Sequence, residues 1–138
     1  MTPDTAIPGG ALPHFDKAMT QQIIDAWADV SGDRNPLHVD PDYARTTRYG
    51  GTIAHGHIAL SYLCQLMQSW AGAAWMNGGR LVDIRFVAPI RPGREYRIGG
   101  DVATVSDAEV GVRLFSRERG DDHDCIEGTA TCPRGRAS

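Results

Sequence analysis

The chain contains no unbroken apolar run of the roughly 20 residues needed to cross a membrane. Its longest apolar stretch, about residues 58 to 75, is interrupted by Ser61, Gln65, Gln68, Ser69 and Gly72, and reads as a buried helix. The first thirteen residues are rich in Pro, Gly and Ala and lack the charged and apolar pattern of a secretory signal. There is no basic stripe: 14 Lys and Arg against 17 Asp and Glu give a net charge of -3, which argues against a nucleic-acid partner. Cysteine is scarce. Cys64, Cys125 and Cys132 are odd in number and form no CxxC pair, which argues against a disulfide framework or a zinc ribbon and predicts a cytoplasmic setting.

The 138 residues, 41% of them hydrophobic, suit one soluble domain with a single core. Residues 1–13 read as a flexible leader, and residues 14–138 as the domain. Residues 20–30 carry Ile23, Ile24, Trp27 and Val30 at helical spacing behind Thr20, a good N-cap, and Ser31-Gly32 stops the helix. After a polar loop, Asp40-Pro41 restarts a short helix, with Asp capping free N–H groups and Pro at the first position. The Gly-punctuated segment 49–56 leads into the longest helix, about residues 57 to 74, apolar on nearly every side and therefore enclosed by other structure. From Leu81 onward the period changes to two. Alternating runs at 81–87, 96–105, 110–116 and 125–132, separated by turn signals, predict four strands in an antiparallel meander. The whole reads as an α+β domain, a curved antiparallel sheet wrapped around one long helix.

The chemistry concentrates in the loop from Ser31 to Asp40. Asp33 and His38 lie five residues apart around a turn tightened by Asn35-Pro36, so both side chains can converge on one point. A carboxylate and an imidazole sharing one water can take a proton from that water and protonate a carbon, and His does so near neutral pH. Gly56 falls where the Gly-rich segment meets the long helix. A backbone N–H there stabilises developing negative charge, and the absent side chain lets a ligand come close.

These residues resemble a known family. Gly32-Asp33-Arg34-Asn35-Pro36-Leu37-His38 with Ala44, then Gly50-Gly51-Thr52-Ile53-Ala54-His55-Gly56, is similar to the hydratase-2 signature of MaoC-like, (R)-specific enoyl-CoA hydratases. The run from Arg85 through Phe86 to Gly93 is similar to a further segment of that family. The likeness spans about residues 18–105. It implies a hotdog fold, a homodimer with sites near the subunit interface, and hydration of trans-2-enoyl thioesters, or the reverse dehydration of (R)-3-hydroxyacyl thioesters, on CoA or an acyl carrier protein. It places Asp33 and His38 as the catalytic pair, Asn35 as loop support, and the Gly56 N–H on the thioester carbonyl. Beside the likeness, the residues themselves make His55 a support of the loop through hydrogen bonds, kept with His57 in the substrate-binding set. Tyr62, Cys64, Leu66 and Met67 are candidate acyl-pocket residues, with Met67 first a core or dimer-interface residue. No cofactor and no metal are implied.

Two positions depart from the family pattern. Members often carry a serine near Cys64, a better hydrogen-bond donor than cysteine. The residue after His-Gly is usually apolar, and here it is His57. These departures keep a tailoring dehydratase or an oxa-Michael cyclase on the same fold in view. A non-catalytic acyl-binding subunit is the alternative of another class. A thioesterase fits poorly, because hotdog thioesterases usually carry a carboxylate on the long helix, and residues 57–74 contain no Asp or Glu. The His residues around 55 lack the i, i+4 spacing of a helical zinc site, and Cys64 reads as an inert core thiol.

Overall fold

The computed structural model describes residues 1–135. Helix α1 (Gln21–Ser31) opens on Thr20, whose hydroxyl accepts the Ile23 N–H at 3.1 Å. It closes at Gly32, with φ of 77°, a conformation that costs glycine little. Its buried residues are Ile24 and Ala28, one turn apart. Val30, which the periodicity grouped with the apolar face, is 84% exposed, because it sits about 120° round the helix from Ile24.

Two short helices shape the next loop. In α2 (Pro36–Val39), the Asn35 side chain caps the Leu37 N–H at 3.0 Å. In α3 (Pro41–Arg45), Asp40 accepts from the N–H groups of Asp42 and Tyr43, both at 3.1 Å, as the Asp-Pro pair predicted. The long helix α4 (Gly56–Ala71) is shorter than its apolar pattern suggests. Gly72 (φ 55°, ψ -124°) breaks the chain there, and α5 (Ala73–Met76) follows as a separate turn.

Five antiparallel strands form one sheet: β1 (Phe15–Met19), β2 (Arg80–Phe86), β3 (Arg94–Val105), β4 (Glu109–Glu118) and β5 (Asp124–Pro133), in the order β1-β3-β4-β5-β2. Only β3, β4 and β5 form the expected meander. β2 lies beyond β5 at one edge, and β1, which no alternation announced, flanks β3 at the other. Period-two patterning marks a strand but carries no information about its neighbour, so this order could not be read from local sequence.

The sheet packs against α4. Leu63, Leu66 and Met67 from the helix and Ile98, Val102, Val112 and Ile126 from the strands belong to one cluster, each at most 1% exposed. Full burial of side chains of this size contributes about 1.5–3 kcal/mol apiece. The opposite face of α4 carries His57, Ser61, Gln65 and Gln68 in the open. The helix is therefore covered on one face within the protomer, not enclosed on all sides.

The loose leader expected over residues 1–13 is also corrected. Gly9 N–H donates to Val102 O and Leu12 N–H to Gly100 O, and Val102 N–H donates back to Gly10 O, so residues 9–12 extend the row that β1 begins along β3. Ala6 and Leu12 are buried, and the Trp70 indole N–H bonds Met1 O at 3.1 Å. A Gly/Pro-rich composition suggests a loop, yet backbone N–H and C=O groups pair with a sheet edge whatever the side chains.

Candidate active site

A cleft of about 420 Å³ opens where the loop after α1, the start of α4 and the β2–β3 connection meet. His38, His55 and Gly56 line one side, Phe86, Val87 and Ile90 the other, and Arg48 and Tyr49 also face it. Two hydrogen bonds join the three segments. The His55 ring bonds Asp33 O through Nε2 at 2.8 Å, and Ala54 N–H donates to Ile90 O at 2.7 Å.

His38 is fixed in one tautomer by its partner. Its Nδ1 lies 2.8 Å from Ile53 O, and a carbonyl oxygen can only accept, so Nδ1 carries the proton. In the neutral ring Nε2 then presents a lone pair. The His38 carbonyl is held by the Gln21 amide at 2.8 Å, and the other end of Gln21 accepts the Thr52 hydroxyl at 2.6 Å. Gln21 thus ties α1, the His38 turn and the Gly-rich segment together. Nothing in its sequence surroundings announced that role, because its partners lie 17 and 31 residues away.

Asp33 sits in an exposed turn shaped by its own neighbours. The Asp33 N–H donates to the Ser31 hydroxyl at 3.1 Å, and Asp33 Oδ1 accepts the Asn35 N–H at 3.2 Å. Asn35 therefore acts on the loop through its backbone N–H and its cap on Leu37. The structure brings Asp33, His38 and His55 together, with one donor atom from each within 4.8 Å of the others. His55 is 2% exposed, its ring stacks on His38 with centroids 3.9 Å apart, and its Nδ1 is a buried nitrogen without a protein partner. This trio is close enough to ligate a metal ion, a capacity that the spacing of the histidines in sequence did not suggest.

Gly56 begins α4, where the first N–H groups have no carbonyl inside the helix to bond. A Cβ built there would lie 2.8 Å from Phe86 Cε1, so the glycine permits the aromatic ring to close over the helix start. His57, one residue on, is exposed and does not line the cleft.

The four acyl-pocket candidates of α4 do not line this cleft either. Leu66 and Met67 are core residues at 1% and 0% exposure. Tyr62 is half-buried with the Lys17 ammonium 5.1 Å from its ring centroid. Cys64 is half-buried, and burial pushes its thiol above the ordinary value, which favours the protonated form. The apolar wall comes instead from Phe86, Val87 and Ile90, in the segment that carried the family resemblance.

A curved antiparallel sheet packed on one long helix is the hotdog fold. The particular family follows from comparison. The MaoC like domain family matches residues 5–113, and the chain belongs to that family. The 3-hydroxyacyl-thioester dehydratase Z of Mycobacterium tuberculosis is 34% identical over 92 residues, covering 64% of this chain and 61% of the relative. The (R)-specific enoyl-CoA hydratase of Rhodospirillum rubrum is 32% identical over 87 residues, covering 61% of this chain and 58% of that protein. The chain thus spans about three fifths of the length of these relatives. The unliganded R-hydratase PhaJ1 of Pseudomonas aeruginosa shares the fold, with a TM-score of 0.80 at 21% identity over 97% of this chain and 86% of that one.

Proposed function

We propose that the protein interconverts trans-2-enoyl and (R)-3-hydroxyacyl thioesters carried on CoA or an acyl carrier protein. The observation that carries the reading is the convergence of Asp33 and His38 beside the start of α4, with the His38 tautomer set by Ile53 O. One water held between the Asp33 carboxylate and His38 Nε2 supplies both fragments. Its oxygen bonds to C3 as the C2=C3 π bond breaks. The Asp33 carboxylate activates the water by accepting one of its O–H groups, its other proton passes to the His38 Nε2 lone pair, and His38 delivers that proton to C2. The thioester oxygen gains negative charge in this step, and the Gly56 N–H is the donor suited to it. Dehydration runs the same steps backwards.

The working unit in this reading is a homodimer. The edge strand β2 and its end leave Val82, Phe86 and Val87 exposed at 41%, 56% and 50%, and a second subunit there would cover the apolar side of the cleft. A cytoplasmic setting belongs to the same reading, supported by three cysteines that are all free. No described helix is long and apolar enough to cross a membrane.

The test is loss of the conjugated enoyl absorbance when purified protein meets crotonyl-CoA, longer enoyl-CoAs and a carrier-linked enoyl group. Hydration of any of them supports the reading. Absence of turnover on all of them favours the non-catalytic acyl-binding alternative.

A further inference from the structure

Arg48 and Tyr49 stand at the catalytic cleft without a part in the acid/base chemistry. Among the residues lining that cleft, Arg48 is the one permanent cation, and the Asp33 carboxylate, clustered with His38 and His55, lies outside the lining. Arginines earlier in the same segment are neutralised: Arg34 pairs with Asp29 and Arg45 with Asp42. Arg48 has no carboxylate within 4.0 Å among the described residues. Its guanidinium packs 4.9 Å from the Tyr49 ring centroid and donates to the Tyr49 hydroxyl at 2.8 Å.

The segment beneath is braced. The Thr47 hydroxyl donates to Ala44 O at 2.7 Å and accepts from the Tyr49 N–H at 3.3 Å, and Gly50 N–H returns to Thr47 O at 3.1 Å. Gly50, at φ 68°, makes the turn into the Gly-rich segment. A guanidinium oriented on an aromatic ring keeps several N–H donors available and loses little side-chain freedom on binding. Placed in a cleft whose lining holds no carboxylate, it offers local attraction to an anion.

We propose that Arg48, oriented by Tyr49, is an anion-recognising subsite of this cleft, which binds a phosphate or carboxylate group borne by the thioester substrate. The two sources share one chemistry, anionic oxygens bonded by a guanidinium fork. A phosphate would belong to the CoA carrier, and a carboxylate to the acyl group. The inference deepens the proposed function and rests on it for the identity of the bound molecule.

Three enoyl thioesters separate the sources: crotonyl-CoA carries phosphates, fumaryl-N-acetylcysteamine carries an acyl carboxylate, and crotonyl-N-acetylcysteamine carries neither. In Arg48→Gln, kcat/KM for one anionic substrate relative to the neutral one falls about 10- to 100-fold, the range for losing a hydrogen bond to a charged group. A fall in the crotonyl-CoA ratio assigns the carrier phosphate, and a fall in the fumaryl ratio assigns the acyl carboxylate. Tyr49→Phe, which keeps the ring but frees the guanidinium, shows a smaller fall in the same ratio. Ratios unchanged within twofold on both would overturn the subsite. If wild type hydrates none of the three, the hydratase reading is judged on the longer and carrier-linked substrates, separately from the subsite. Affinities for butyryl-CoA and succinyl-N-acetylcysteamine then decide the subsite: weaker binding of either by Arg48→Gln supports it, and equal binding of both overturns it.

Discussion

The rings of His38 and His55 lie stacked, with centroids 3.9 Å apart and planes 28° from parallel. His55 also bonds the backbone carbonyl of Asp33, so one buried side chain touches both members of the proposed acid/base pair. It belongs to the segment that supplies Gly56, and so joins the proposed oxyanion donor to the proposed proton-transfer pair. In the proposed mechanism His55 is a positioning residue.

Removing either member of the pair is expected to stop the chemistry and leave the fold. Asp33→Asn and His38→Gln each lower kcat for enoyl hydration by about 10²–10⁴-fold, the usual range for general acid–base groups. Thermal melting stays near wild type for Asp33→Asn, because Asp33 is exposed. Near-wild-type turnover by Asp33→Asn would remove it from the mechanism.

His55→Ala deletes the bond to Asp33 O and opens a void under His38. It costs about 1–3 kcal/mol in stability, the range for disrupting a buried hydrogen-bonded group. It also lowers kcat more than it raises KM. His55→Gln, which can still donate to the Asp33 carbonyl, recovers part of kcat. Equal kcat in the two variants would show that the bond does not matter.

Gly56→Ala forces its new methyl group against Phe86, because the Cβ would come within 2.8 Å of the ring. The expected result is a lower kcat/KM, partly restored in the Gly56→Ala/Phe86→Leu double variant, which removes the obstructing ring. A double variant no better than Gly56→Ala would place the damage on the helix start itself.

The Asp33, His38 and His55 cluster is compact enough to ligate Zn²⁺, and its first two members are the proposed catalysts. Added Zn²⁺ is expected to inhibit hydration reversibly, and a chelator to restore it. Chelator alone is expected to leave wild-type turnover unchanged, because the proposed steps use no metal. Loss of turnover in chelator would place a metal in the reaction.

A fifth prediction concerns the sheet. Asp16 on β1 accepts two hydrogen bonds from Arg97 and one from Arg119, and the Arg97 bonds are the main reason its carboxyl titrates below the usual 3.8. Because the folded value is depressed, this stabilisation is present above about pH 3.8 and is lost as pH falls through the folded value. Asp16→Asn should therefore melt below wild type at pH 7, and the gap should narrow below pH 4. A gap that is independent of pH would contradict the linkage.

The sequence alone determined the pieces whose causes are local. Thr20, Asn35 and Asp40 cap helices because a side-chain oxygen meets N–H groups two or three residues away. The family match confirms the likeness first seen in the 31–40 loop and the segment ending at Gly56. Tertiary structure decided what depends on partners far along the chain. Strand order placed β2 beside β5, and unpaired edge groups on β3 captured residues 9–12 despite their loop-like composition. The break at Gly72 shortened α4, and packing turned Leu66 and Met67 into the core while the Phe86 segment became the cleft wall. Arg48 belongs to this second group. Its own turn is local, but only the fold sets its charge in the cleft lining that it shares with His38, with no carboxylate within 4.0 Å among the described residues.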